Sequence, residues 1–188
     1  MDFRSFVSLA IFLSALLLSS SPQVLAEDVS SMVEASLKVS TPFSTELDTL
    51  QKQINYTFRS VGLLRRPMTH ASFSEENNKA LSILGASIIE TSVSLQSLIK
   101  DVDISAKDLN VKIADVSKVE SSCNSDGTRL GLQKIVRVSH KTNVTSPAVV
   151  CGAFRAIFGA IAIDAVSSDE AGRIYGKVHS GIGRAATM

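Results

Sequence analysis

The run from Ser146 to Val166, SPAVVCGAFRAIFGAIAIDAV, is the most apolar stretch of the chain beyond its N-terminal segment, and it constrains everything around it. Ser146 followed by Pro147 is a helix-start signal: a hydroxyl that can accept from free amides, then a ring whose fixed φ suits the first helical position. At about 100° per residue, the helical repeat puts bulky groups on one stripe. Val150, Phe154, Ile157, Ile161 and Ala165 form it here, with Phe158 beside it. The remaining face is small, through Gly152, Ala153, Ala156, Gly159 and Ala160, and small residues let another backbone come close. Arg155 and Asp164 are the only charges in the run. A bilayer span needs about 20 apolar residues with few charges. This run is shorter and carries Arg155 near its middle, so no stable transmembrane span is expected. The spacing predicts a helix buried at the centre of a water-soluble bundle, the rival being a helix that leaves the bundle and presses its Phe/Ile face into lipid or a partner.

Residues 1–26 read as a secretory signal peptide: Arg4, then the apolar segment Phe6 to Leu18, then Val24-Leu25-Ala26 before a cleavage point. Removal would leave residues 27–188 as one domain with a weakly ordered C-terminal tail, and a secreted, extracellular location. A chain of that length buries about two thirds of its surface without extra cross-links. Cys123 and Cys151 are the only cysteines, and in an exported protein an even pair implies one disulfide. Its ring of roughly 30 residues would contribute on the order of 3–4 kcal/mol on the chain-entropy model. Neither cysteine has a second Cys or a His at ligand spacing, so no metal site is expected.

Helical periodicity recurs along the chain. Asp28 can cap a short helix with Val29, Met32, Val33 and Leu37 on one face, and Thr41-Pro42 repeats the start signal ahead of Leu47, Leu50, Ile54, Phe58 and Val61, with Gly62 as the stop. Leu63 to Ser72 reads as a connector whose Arg65-Arg66-Pro67 is an exposed loop or a dibasic processing site. The longest helix is expected from Ser72 or Ser74 to Lys100, with Leu81, Leu84, Ile88, Leu95, Leu98 and Ile99 inward and Gly85 and Ser92 marking close crossings. Ser105 with Asp108 resembles a capping box that opens a helix through Leu109, Ile113, Val116 and Val119. Cys123 to Gly127 is a turn cluster, and Leu130 to His140 fits either helix or strand. With no second strand evident to pair with it, helix is preferred. Ser167 to Glu170 opens a last helix, weakened by Gly172, Gly176, Gly181 and Gly183. The fold class expected is all-α: a single-domain bundle of five to six helices around one central apolar helix, with one disulfide.

Reactive groups do not converge in sequence. His70, His140 and His179 lie far apart, no serine sits in a nucleophile-elbow pattern, and no glycine-rich phosphate loop occurs. Net charge is +1, with acids in excess over residues 27–128 and bases over 129–188. Those bases are scattered without aromatic interleaving, which argues against nucleic acid as a partner. Asn143 and Asn55 each begin an acceptor sequon for N-linked sugar. The expectation is a secreted, glycosylated, non-catalytic helical protein without cofactor, acting on an extracellular protein as an inhibitor, signal or coat component. The alternatives are a carrier of an apolar ligand or lipid, with Phe154, Phe158, Leu84 and Ile88 around its cavity, and a membrane-active protein. In size, export and helicity the chain resembles the secreted plant bundles that inhibit invertases and pectin methylesterases. It lacks their N-terminal cysteine pair, so no residue roles carry over.

Overall fold

Pro147 opens the helix on which the others converge, and Ser146 precedes it in the extended conformation that a helix start requires, although its hydroxyl makes no capping bond. The computed structural model describes residues 41–181. The expected signal peptide, the Asp28–Leu37 helix and Gly183 lie outside them. Among the described residues the order is α1 (Pro42–Ile54), α2 (Val61–Arg65), α3 (Lys79–Lys100), α4 (Ala106–Ser117), a π-helical turn (Val119–Cys123), α5 (Asn124–Arg129), α6 (Leu132–Ile135), α7 (Pro147–Ala165) and α8 (Ser168–His179). No β-strand occurs among them, and the all-α expectation holds.

Helix α7 is the buried centre. Phe154, Ile157, Phe158 and Ile161 on its bulky side are 0–1 % exposed, and so are Ala153, Ala156 and Ala160 on its small side. The two sides are closed differently. The bulky side meets α8, where Tyr175 sets its ring edge-on to Phe158 at 5.4 Å, and Phe154 packs edge-on against Phe158 at 5.0 Å. The small side meets the backbone of α3. A Cβ added to Gly85 would stand 1.8 Å from the Arg155 carbonyl oxygen, and one added to Gly159 would stand 2.2 Å from that of Leu81. The two glycines thus let main chain touch main chain. Cys123 and Cys151 are joined, with Cα atoms 5.1 Å apart, which fixes the π-helical turn to the first turns of α7.

Several elements differ from expectation for local reasons. Helix α1 stops at Ile54 because Asn55 turns into the left-handed region at φ 52°. Phe58 still enters the core, drawn back by its amide donating to Gln51 Oε1 at 2.9 Å, whereas Val61 is 44 % exposed and Gly62 lies inside α2. Helix α3 starts at Lys79 because buried Asn78 is engaged elsewhere, donating from its side chain to the Pro67 carbonyl and from its amide to the Thr69 carbonyl. The segment after α6 is extended and pairs with residues 68–70 in one parallel bridge: the Arg137 amide donates to Met68, and the His70 amide to Arg137. The partner not evident in the sequence is the loop before α3. Asn124–Arg129 is helical instead of a turn. Helix α8 survives its glycines because Ser167 caps it and Gly172 and Gly176 seat against Ser92 and Gln96 of α3.

Candidate functional site

Charge enters this apolar core at three places, each satisfied by neighbours. Arg155, in the middle of α7, donates to the Ser117 carbonyl at the end of α4, where a cation complements the helix dipole. The Ser117 hydroxyl in turn lies 2.6 Å from Glu90 Oε1 on α3. These contacts bind α3, α4 and α7 at the side of their crossing. Asp164, near the end of α7 and 6 % exposed, accepts from the Tyr56 hydroxyl at 2.8 Å and from the amides of Arg59 at 3.0 Å and Ser60 at 3.4 Å. Burial pushes its carboxyl up, but those donors outweigh burial and hold it below the usual carboxylate range. Burial and Asp164 together push the Tyr56 phenol up to about 12.

The third place joins α5 to α8. Asp126, 4 % exposed, is bonded to His179 Nδ1 at 2.6 Å and Arg129 at 2.7 Å, and the His179 ring stacks on Tyr175. His179 borders a cavity of about 490 Å³ shared with Lys112 and Asp115. The hydrogen bond to Asp126 raises the imidazole pKa above its ordinary 6.5, against the opposing effect of burial. A raised pKa means that the pair adds stability below the unfolded value and loses it as pH climbs through the folded one. The His179 titration followed by NMR is therefore expected to have a midpoint above 6.5, and Asp126→Asn to bring it down. A native midpoint at or below 6.5 would mean that the pair does not form in solution.

A fourth grouping is basic: Arg65, the last residue of α2, and Arg66 just beyond it lie beside Arg137 around an open cavity. Among the described residues no group of three or more His, Cys, Asp or Glu side chains could hold a metal ion.

Of the residues singled out in the sequence, Phe154, Phe158 and Ile88 are buried in the core, while Leu84 is 39 % exposed on α3. Asn143 is exposed in the turn before α7, with its side chain accepting from Thr145, and Asn55 is the exposed left-handed cap of α1. The Asp126–His179 pair and the arginine cluster escaped notice because their members lie 53 and about 70 positions apart; no spacing rule spans such distances.

Residues 61–177 match the family model described as Ribonuclease-III-like. The chain is 61 % identical over 150 residues to the Arabidopsis thaliana protein NUCLEAR FUSION DEFECTIVE 2, covering 79 % of this chain and 78 % of that one. It is 30 % identical over 129 residues to Ribonuclease 3 of Delftia acidovorans, covering 63 % of this chain and 54 % of that protein. The chain thus spans about half the length of the bacterial ribonucleases it matches. Its fold is similar to that of the nuclease domain of ribonuclease III from Campylobacter jejuni, at a TM-score of 0.67 and 24 % identity, over 71 % of this chain and 96 % of that one.

These matches overturn the functional expectation drawn from the sequence. A non-catalytic secreted protein working by contact, whether inhibitor, signal or coat, gives way to a nuclease-type chain, and the carrier and membrane-active alternatives go with it. The exclusion of enzymes is corrected by the ribonuclease relatives, and the exclusion of nucleic acid in favour of an extracellular protein partner is corrected by the same finding. The signal-peptide, glycoprotein and extracellular descriptions also conflict with relatives named for nuclear fusion and ribonuclease activity. So does the resemblance to plant inhibitor bundles. The physical reason is that the bases of residues 129–188 were taken to be scattered in space, whereas the bridge between residues 69 and 137 brings one of them, Arg137, to the Arg65-Arg66 pair.

Proposed function

This chain belongs to the ribonuclease-III-like family, and from that premise we propose that it acts on RNA, gripping a duplex as a pair of chains. The observation that carries the reading is the family match over residues 61–177, which takes in the α3–α7 crossing. The bacterial relatives support a ribonuclease-type role in RNA processing. Nucleases commonly hydrolyse phosphodiesters with divalent ions held by carboxylates. The described residues do not fit such a centre, since no group of three or more His, Cys, Asp or Glu side chains forms among them, and Glu90 at the helix crossing is engaged by Ser117 beside Arg155. What they offer RNA is a cationic surface, whose contacts with phosphates release counterions.

Pairing is supported by α3. Its Ile83 is 73 % exposed, Leu95 54 % and Ile99 75 %, with Val102 beyond its end at 77 %. By length and composition α3 and α7 are both apolar enough to cross a membrane, but α7 is mostly buried within the fold and α3 is mostly not. An apolar helix face left in water favours a self-complementary contact with a second copy. The Campylobacter nuclease domain is itself described by a region involved in dimer formation.

The test is one set of binding curves. The chain is expected to retain a 25–30 bp RNA duplex in preference to the same DNA duplex, and to lose roughly 50-fold in affinity between about 50 and 200 mM salt, as a few phosphate contacts dictate. Ile83→Arg is expected to convert dimer to monomer in sedimentation and to weaken duplex binding about tenfold, with helicity unchanged. A chain that is monomeric at tens of micromolar and ignores duplex RNA in low salt would sink the reading. Cleavage products formed with Mg²⁺ in the same incubation would mean that the ligands assemble only on the RNA-bound pair.

A further inference from the structure

We infer that the cavity beside α2 is a phosphate-binding site built by Arg65, Arg66 and Arg137. Its volume is about 490 Å³, and Ser60, Thr69 and Glu76 share the lining. The construction starts with the backbone. The parallel bridge between Thr69 and Arg137 fixes where the Arg137 side chain leaves the chain. Its guanidinium then lies over the Phe43 ring at 4.7 Å and the Phe73 ring at 4.9 Å, and donates to Thr69 Oγ1 at 2.5 Å. Thr69 is 2 % exposed, and its hydroxyl donates to the Arg65 carbonyl at 2.9 Å, so the acceptor that meets Arg137 is itself held in place. Arg65 sets its own guanidinium over the same Phe43 ring at 5.7 Å. One aromatic ring thus carries two cations.

That arrangement is costly as it stands. Two like charges share a ring, Nε of Arg137 is buried without a hydrogen-bond partner, and among the described residues no carboxylate pairs with Arg65, Arg66 or Arg137. Glu76 is the acid on the lining, and it makes no ion pair among the described residues either. Burial, followed by the charge of Arg65, disfavours the protonated Arg137. A fold normally neutralises clustered guanidinium groups with an acid; this one instead stacks them on phenyl rings and leaves their donors turned to a cavity. The ligand that relieves the cost must bring negative charge and several acceptor oxygens spread in space. A phosphate group does so, and arginine forks match its oxygens two at a time. The phosphate can belong to an RNA backbone or to a small molecule. The site stands on this geometry alone, and only its use for RNA rests on the reading above.

The experiment uses inorganic phosphate as probe, with the purified chain at constant ionic strength set by chloride. About 10 mM phosphate is expected to raise the melting temperature by about 3 °C. Arg65→Gln and Arg66→Gln, both exposed and outside the core, should cut the rise to under about 1 °C, and Arg137→Lys, which keeps the charge and loses the fork, should do the same. Glu76→Gln should enlarge it, since it removes the acid that competes for the cations. An equal rise in the native chain and all three arginine variants would overturn the site, whatever the RNA result. A second arm separates the sources. If Arg65→Gln also lowers the salt slope of duplex RNA binding by about one, the phosphate is that of the backbone. If the slope is unchanged while the phosphate response is lost, the site stands and serves a small phosphate-bearing ligand.

Discussion

Gly85→Ala is expected to lower the stability of the domain by about 4 kcal/mol or to prevent folding, which makes it the most damaging methyl that could be added to a glycine among the described residues. Its added Cβ would lie 1.8 Å from the Arg155 carbonyl oxygen and 3.0 Å from the Gly159 amide nitrogen, both main-chain atoms of α7 that no rotamer change can move. Relief would require α3 to back away from α7 along a contact that also seats Leu81 against Gly159. Gly152→Ala provides the internal control. It puts the same methyl on the same buried helix, where nothing lies within 4 Å, and is expected to be neutral or to stabilise by up to about 1 kcal/mol through helix propensity. Urea unfolding of the two variants beside the native chain decides the matter. Equal stabilities for Gly85→Ala and Gly152→Ala would mean that the helices do not touch through their backbones.

Asp164→Asn is expected to cost about 2–3 kcal/mol at neutral pH, because it replaces an ion that accepts from three donors with an amide that turns an N–H toward some of them. The donors come from the Tyr56 hydroxyl and the Arg59 and Ser60 amides, so the loss also frees the segment between α1 and α2 from the end of α7. The sign of the pH effect follows from the depressed carboxyl. A group held below its ordinary 3.8 contributes its stability above that value and loses it as pH falls through the folded-state value. The gap between native and variant should therefore be widest above about pH 5 and should shrink in acid. Tyr56→Phe, which removes one of the three donors, should cost about 1 kcal/mol. A gap that is the same at pH 7 and pH 3 would place the Asp164 effect outside its ionisation.

The scaffold also sets what the proposed RNA-binding surfaces present. Helix α7 is used up as core, so α3 is clamped to it on one face and left apolar on the other, which is where a second copy can add itself. The bridge between residues 69 and 137 arranges the arginines. A paired cysteine suggests an oxidising compartment. The joined Cys123 and Cys151 bear out the expected bridge, while the export from which that bridge was expected conflicts with the ribonuclease relatives.

Sequence alone determined the helices whose ends are written locally: Thr41, Ser105 and Ser167 each accept an amide three residues on, as hydroxyl caps do, and Pro147 begins α7. It also determined that α7 would be the centre, because a run that is bulky on one side and small on the other has no face left for water. The cysteine pair was legible from its number, two and no others, with Cys123 on the inward face of its segment. Tertiary structure alone decided which face of α3 is core. Leu81 and Ile88 are buried and the close crossing expected at Gly85 is present, yet Leu84, Leu95, Leu98 and Ile99 of the same apolar stripe stay exposed, because periodicity marks an apolar face without fixing how much of it a neighbour covers. It alone brought Arg137 to Arg65 and His179 to Asp126, because such neighbours are set by how the chain returns on itself and not by spacing along it.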